Sequence, residues 1–426
     1  MLLKSLVFIG GVAMTAARVQ FMGINIAGFE FGCQIDGSCP TTSVTPPLSV
    51  LGGGDGAGQM QHFMNEDQMN IFPVSWQFLV NNKLGGTLDS TNFGKYELWK
   101  YDQLMQSCLF TGAYCAIDLH NFARFNGNII GQSSSGPSDA QFVDLWTQLA
   151  TKYKSNTKVV FGLMNEPHDV NTVAWASTVQ LAVTAIRNAG ASTQMILLPG
   201  NNFTSAATSV SNGSNAALIK VTNPDGSTDG LILDIHKYLD VDNSGTHADC
   251  TTDNISDAFS LVAAFLRASG RQVIVDFCAQ NTFLNQNSDV FLGYIAWGAG
   301  SFATSYTLSL TPSKQNGQFI DNALASHVIY HRINISPHFC ISWNFIDNHD
   351  SISLRNRRCE FGNSICINRI TDFWTCNLGV TYFYGDYEIP TSASVPPQLA
   401  NGARMEEISR GFIAVTGAIT VDALLR

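Results

Sequence analysis

Residues 159–169 read ValValPheGlyLeuMetAsnGluProHisAsp, a short apolar run that ends abruptly in polar residues. A run of this length, with β-branched and aromatic side chains, reads as a strand buried on both faces, as in a parallel sheet. Seven further runs of this kind occur at 22–26, 70–74, 114–119, 195–198, 231–235, 273–275 and 292–297. Helical patterns separate many of them, among them 140–154 and 172–189. In the second helix Val173, Ala176, Val179, Val183 and Ile186 are expected to form one core-facing stripe. Eight buried strands alternating with helices over about 280 residues predict an α/β chain, a (β/α)8 TIM barrel. A doubly wound sheet is the main alternative, but no glycine-rich dinucleotide fingerprint follows the first strand.

The chain has 426 residues, a formal net charge of -10 and only 13% charged residues. That balance argues against a polyanionic partner such as nucleic acid and is compatible with a neutral polymer. Residues 1–17 (MetLeuLeuLysSerLeuValPheIleGlyGlyValAlaMetThrAlaAla) read as a secretory signal peptide, the bland alternative being a buried first strand. No other stretch is apolar for long enough to cross a membrane. Cys33 and Cys39 lie six apart, and Cys108 and Cys115 flank a turn; in an exported chain such short loops favour disulfides over metal sites. Asn202, Asn212, Asn254 and Asn334 begin glycosylation acceptor motifs. Character changes near residue 325: residues 326–426 contain no lysine and eight arginines, with Cys340, Cys359, Cys366 and Cys376 and no clear period. The expected organisation is therefore a signal peptide over 1–17, a barrel over 18–325 and an irregular extension over 326–426. That extension is read as disordered or as translated non-coding sequence rather than as a metal module, and no metal or cofactor is expected.

In a barrel of this kind chemistry gathers where strands end. Strand three delivers His120 and Asn121, strand four Asn165 and Glu166, strand six His236 and Tyr238, and strand eight Trp297. Each has a dull explanation: a structural histidine, an AsnGluPro helix cap, a core tryptophan. Repetition at the same end of four strands is what makes a catalytic mouth the better reading.

The chain resembles fungal endoglucanases of glycoside hydrolase family 5 from about Gln20 to Pro312. The resemblance rests on GlyIleAsnIleAlaGlyPheGluPheGly, AspLeuHisAsnPheAlaArg, MetAsnGluProHisAspVal, AspIleHisLysTyrLeuAspValAspAsnSerGlyThrHis and LeuAsnGlnAsnSerAspValPheLeuGlyTyr. It implies a retaining mechanism with two carboxylates roughly 5–5.5 Å apart. Glu166 matches the acid/base, and Asn165 the residue that meets the sugar 2-hydroxyl. His236 and Tyr238 match the pair that positions the catalytic carboxylates. His120 and Asn121 belong to the subsite wall, and Trp297 would stack on a glucose ring. It also implies a secreted monomer acting on β-1,4-glucan, with no nucleic-acid or membrane partner.

Two departures stand out. The family's Arg-Leu-Pro run at the end of strand two is here AsnIlePheProValSerTrpGln, without the arginine. Strand seven should end in Thr-Glu-Thr, yet ArgGlnValIleVal runs straight into AspPheCysAlaGlnAsn, so the nucleophilic glutamate is missing by comparison. Asp276 is the nearby carboxylate, expected from strand parity to aim away from substrate. Cys250 would lose its family partner, leaving Cys278 as its close candidate. The barrel is thus left open to being incomplete at strands two and seven. A catalytically dead glucan-binding protein and a mannan or xyloglucan hydrolase are the alternative functions.

Overall fold

The structure, a computed structural model, describes residues 18–76, 98–242, 244–245, 247, 254–277 and 281–325, with two short strands near the end of the chain. Eight parallel strands form the barrel: β1 (Phe21–Phe29), β2 (Ile71–Trp76), β3 (Tyr114–Leu119), β4 (Val159–Gly162), β5 (Ile196–Pro199), β6 (Leu231–Lys237), β7 (Val273–Phe277) and β8 (Phe291–Gly300). They close in the order β1-β8-β7-β6-β5-β4-β3-β2. Helices follow the first seven strands in turn: α1 (Gly56–Asp67), α2 (Leu98–Phe110), α3 (Asp139–Tyr153), α4 (Thr172–Asn188), α5 (Ser214–Leu218), α6 (Ser260–Ser269) and α7 (Asn281–Gln286).

The possibility that the barrel is incomplete at strands two and seven is not realised in its sheet. β2 pairs with both β1 and β3, and β7 with both β6 and β8. A strand's ladder depends on its own backbone and its neighbours, so altered sequence beyond its end leaves it in place. Pro73 is tolerated inside β2, opposite Ala116, although it lacks an N–H to donate.

The core has two layers. Ile71, Ala116, Val160, Leu197, Ile232, Ile274 and Ile295 form one cluster inside the barrel. Phe161, Leu198, Leu233 and Val275, from the opposite parity, join the layer between strands and helices, where Trp146 and Trp175 are fully buried. Each such side chain contributes about 1.5–3 kcal/mol by burial. Val173 is a correction to the expected stripe: it is 73% exposed, and Trp175 takes its place in the core. At roughly 100° per residue Val173 lies about 120° around the helix from Val179. Asn171 caps this helix, its side chain accepting from Ala174 N.

Disulfides join Cys33 to Cys39 and Cys108 to Cys115. Cys250, Cys278, the signal segment 1–17 and nearly all of 326–426 lie outside the described residues. Contacts divide the chain into Met1–Ile335 and Ser336–Arg426; in the second unit only the antiparallel pair Phe383–Tyr384 and Tyr387–Glu388 is described. Among the described residues no helix is long and apolar enough to cross a membrane.

Candidate active site

Strand parity builds the site. Ala116 and Ile232 face the barrel interior, and two residues further along the same face stand Asp118 and Asp234. Two further still come His120 and His236. The apolar plug therefore gives way to a polar layer as the strands run out.

Two hydrogen-bonded groups form that layer. In the first, Asn25 Nδ2 donates to Ser75 Oγ at 2.7 Å, and Ser75 donates to Asp118 Oδ2 at 2.6 Å. Asp118 Oδ2 lies 3.0 Å from His120 Nδ1, and Asn165 Nδ2 lies 3.2 Å from His120 Nε2. Strands β1, β2 and β3 and the end of β4 are thus tied by one chain of polar contacts. Neutral His120, donating from Nδ1 and accepting at Nε2, satisfies both neighbours. Burial alone would raise the Asp118 carboxyl, but the charge and hydrogen bond of His120 and the Ser75 hydroxyl hold it below its ordinary value. The reverse holds for His120: burial lowers it, and Asp118, Glu30 and Glu166 together raise it.

In the second group His236 Nδ1 lies 2.9 Å from Glu166 Oε1, and His236 Nε2 faces Asp234 Oδ2 at 3.7 Å. The Glu166 side chain is 19% exposed, open to a ligand yet held. Its backbone has φ 45°, a left-handed conformation rare for a residue with a Cβ and unusual before a proline. AsnGluPro therefore does not cap a helix; α4 starts only at Thr172. Left-handed non-glycine residues gather around this mouth, at Phe122, Ala123, Asp169 and Asn202–Thr204 as well. Such strain persists where surrounding contacts over-determine the loop. Here Phe203 N donates to Pro167 O at 2.9 Å, and His236 N donates to Thr204 O at 2.9 Å.

Trp297 stacks on His120, with ring centroids 5.4 Å apart and planes 23° from parallel. Tyr238 lies just beyond β6, its ring seated on Gly245 (φ 74°), where a Cβ would come within 2.6 Å of it. Asn121 is placed differently from its neighbours: it is fully buried, with its amide on Cys39 Sγ at 3.2 Å. Asp276 stands opposite His236 and Ile295 in the strand register, and the expectation about where its carboxyl points concerns a side chain outside the described residues. Arg124 is buried in the loop after β3 and donates to the carbonyls of Phe122 and His168.

Sequence reasoning missed Asn25, Ser75, Asp118 and Asp234, although the two aspartates stand two residues before named histidines. It also missed Glu30, 4% exposed at the end of β1, whose carboxyl is pushed up to about 7 chiefly by burial. Its Oε2 accepts from Gly28 N at 2.7 Å, and its Oε1 has no hydrogen-bond partner among the described residues.

Residues 30–298, which span most of this barrel and its mouth, match the cellulase family, glycosyl hydrolase family 5. The chain belongs to glycoside hydrolase family 5. It is 57% identical over 331 residues to endoglucanase EG-II of Hypocrea jecorina, covering 73% of this chain and 78% of that one. The crystal structure of Cel5A (EG2) from Hypocrea jecorina superimposes with a TM-score of 0.68 at 56% identity, covering 73% of this chain and 98% of that one. XacCel5A, solved in complex with cellopentaose, matches with a TM-score of 0.60 at 28% identity over 71% of this chain and 96% of its own. This family 5 hydrolase thus has endoglucanases as its relatives, and these matches favour neither alternative function.

Proposed function

We propose that the chain is a secreted endo-β-1,4-glucanase that cleaves cellulose-type β-glucans with Glu166 as general acid/base. The observation that carries this reading is the Glu166–His236 contact of 2.9 Å at the end of β4, beside the stacked His120 and Trp297 rings. Protonated, Glu166 would donate to the leaving glycosidic oxygen and then deprotonate the incoming water. Asn165, fixed on His120, would meet the sugar 2-hydroxyl. His236 and Tyr238 would position the carboxylates, and Trp297 would offer its ring to the apolar face of a glucose unit.

An aromatic row supports a polymeric ligand. Phe302 meets Trp297 edge-on at 5.6 Å and stacks on Tyr306 at 4.5 Å, and Phe31 packs on Phe302 at 4.8 Å. Apolar ring surface beside the mouth suits a neutral sugar and the low charge of the chain.

Without the family's glutamate on β7, Glu166 supplies general acid/base help alone, worth typically 10²–10⁴-fold. Turnover is therefore expected to be well below that of an intact pair. The test is reducing-end release from soluble carboxymethyl-cellulose by the full chain. Slow turnover that disappears in Glu166→Gln while cellopentaose binding persists supports the hydrolase. Cellopentaose binding with no turnover in the unmodified chain would overturn it in favour of a glucan-binding protein. If Asp276→Asn also abolishes turnover and the wild-type product keeps its anomeric configuration, Asp276 is the nucleophile.

A further inference from the structure

We infer that His62, Asp67 and Asp321 form a binding site for a small divalent metal ion that clasps the segment after β8 to helix α1. This goes beyond the glucanase reading and does not depend on it. His62 Nε2 lies 2.9 Å from Asp321 Oδ1 and 4.0 Å from Asp67 Oδ2. All three donor atoms lie within 4.8 Å of one another. Adjacent donors of a tetrahedral ion with bonds of roughly 2.1 Å stand about 3.4 Å apart, so the gap needs only small adjustments.

The second observation is the state of Asp67. Its side chain is 7% exposed, and its Oδ2, 4.0 Å from His62 Nε2, has no hydrogen-bond partner among the described residues. A buried carboxylate oxygen without a donor is costly. Asp321 Oδ1 already occupies His62 Nε2, so the imidazole serves one carboxylate and leaves the other unserved. Deprotonated as ligands must be, two carboxylates and an imidazole would bring two negative charges, which a divalent cation offsets. One imidazole and two carboxylates suit an ion such as Mn2+ or Zn2+. The side chains of His62 and Asp321 are 11% and 19% exposed, which leaves a route for the ion and for water ligands.

The position gives the site its consequence. Asp67 is the last residue of α1 and leads into the start of β2, at the end of the barrel opposite Glu166. In a barrel of this kind that end serves stability rather than chemistry. Asp321 follows the antiparallel pair Ser313–Gln315 and Gln318–Ile320. That pair is pinned to the other end of α1 by Lys314 Nζ, 3.2 Å from Asp55 Oδ2, and the Phe319 ring lies 5.6 Å from His62. A metal would fasten the free end of the hairpin to α1.

The experiment uses the full chain, stripped with EDTA and dialysed, and titrates Mn2+ alone while free Mn2+ is followed by electron paramagnetic resonance. Manganese is chosen because thiolates compete for it weakly, and the chain has ten cysteines. The expected result is one equivalent bound, with a rise in Tm of roughly 5 °C at a hundredfold excess over Kd. Affinity falls at least tenfold in Asp67→Asn and Asp321→Asn and is unchanged in Asp242→Asn, which alters a separate acid–histidine cluster. Asp321→Asn carries the test if Asp67→Asn does not fold. Absence of binding at millimolar Mn2+, or binding untouched by the Asp321 change, overturns the inference.

Discussion

His236 stands between two carboxylates, with Nδ1 2.9 Å from Glu166 Oε1 and Nε2 3.7 Å from Asp234 Oδ2. The shorter contact is a hydrogen bond and the longer is not, so His236 acts on Glu166 as donor and orienter. His236→Gln is expected to lower kcat on carboxymethyl-cellulose by about 10–100-fold with little change in KM, because orientation matters most as the proton moves. An equal loss in binding of cellopentaose would show that His236 is a ligand contact instead.

Asp118 orders His120 through the 3.0 Å contact with its Nδ1, while Trp297 stacks on the ring face. Asp118→Asn removes the charge that helps raise His120, so the imidazolium becomes less stable. The limb of the pH–rate profile that reports His120 is expected to move to lower pH. Stability drawn from protonated His120 is present at low pH and lost as pH rises through its raised folded value; in the variant this loss should be smaller and complete at lower pH. An unchanged profile and an unchanged pH–stability curve would count against the coupling.

Glu30 gives a second stability prediction with the same sign. Its carboxyl stands at about 7 in the folded chain against 4.5 ordinarily. Between those values the folded state keeps a proton that the unfolded state has released, so stability falls as pH rises from about 4.5 to about 7 and then levels. The contribution is about 3 kcal/mol at most. Urea unfolding at pH 5 and pH 8 should show that Glu30→Gln loses less stability over this interval than the unmodified chain. Parallel losses in both would remove the argument.

The left-handed backbone of Glu166 predicts an unusual order of variants. Both Glu166→Ala and Glu166→Gly delete the carboxyl and its bond to His236. Only glycine relieves a φ of 45°. Glu166→Gly is therefore expected to be more stable than Glu166→Ala by about 1 kcal/mol, the reverse of their order in a helix. Equilibrium urea unfolding of the two variants measures this directly.

The eight strands, the register of polar residues at their ends and the two short disulfides were legible in the sequence, because each depends on local patterns. Apolar runs of strand length, a period of two and cysteines six or seven residues apart need no knowledge of distant contacts. The placement of His120, Asn165, Glu166, His236 and Trp297 towards the strand ends followed from the same patterns, while the roles that the family resemblance gives them are proposals. Tertiary structure alone decided which of these touch. The Asn25–Ser75–Asp118–His120–Asn165 chain joins residues up to 140 positions apart, and Asn121, adjacent to His120 in sequence, turns instead to Cys39. It also decided that β2 and β7 close the barrel, since a strand's hydrogen bonds are made by its neighbours. Burial decided the rest: Glu30 looks like an ordinary acid in the sequence, and only the packing around it removes the water that would have kept it so.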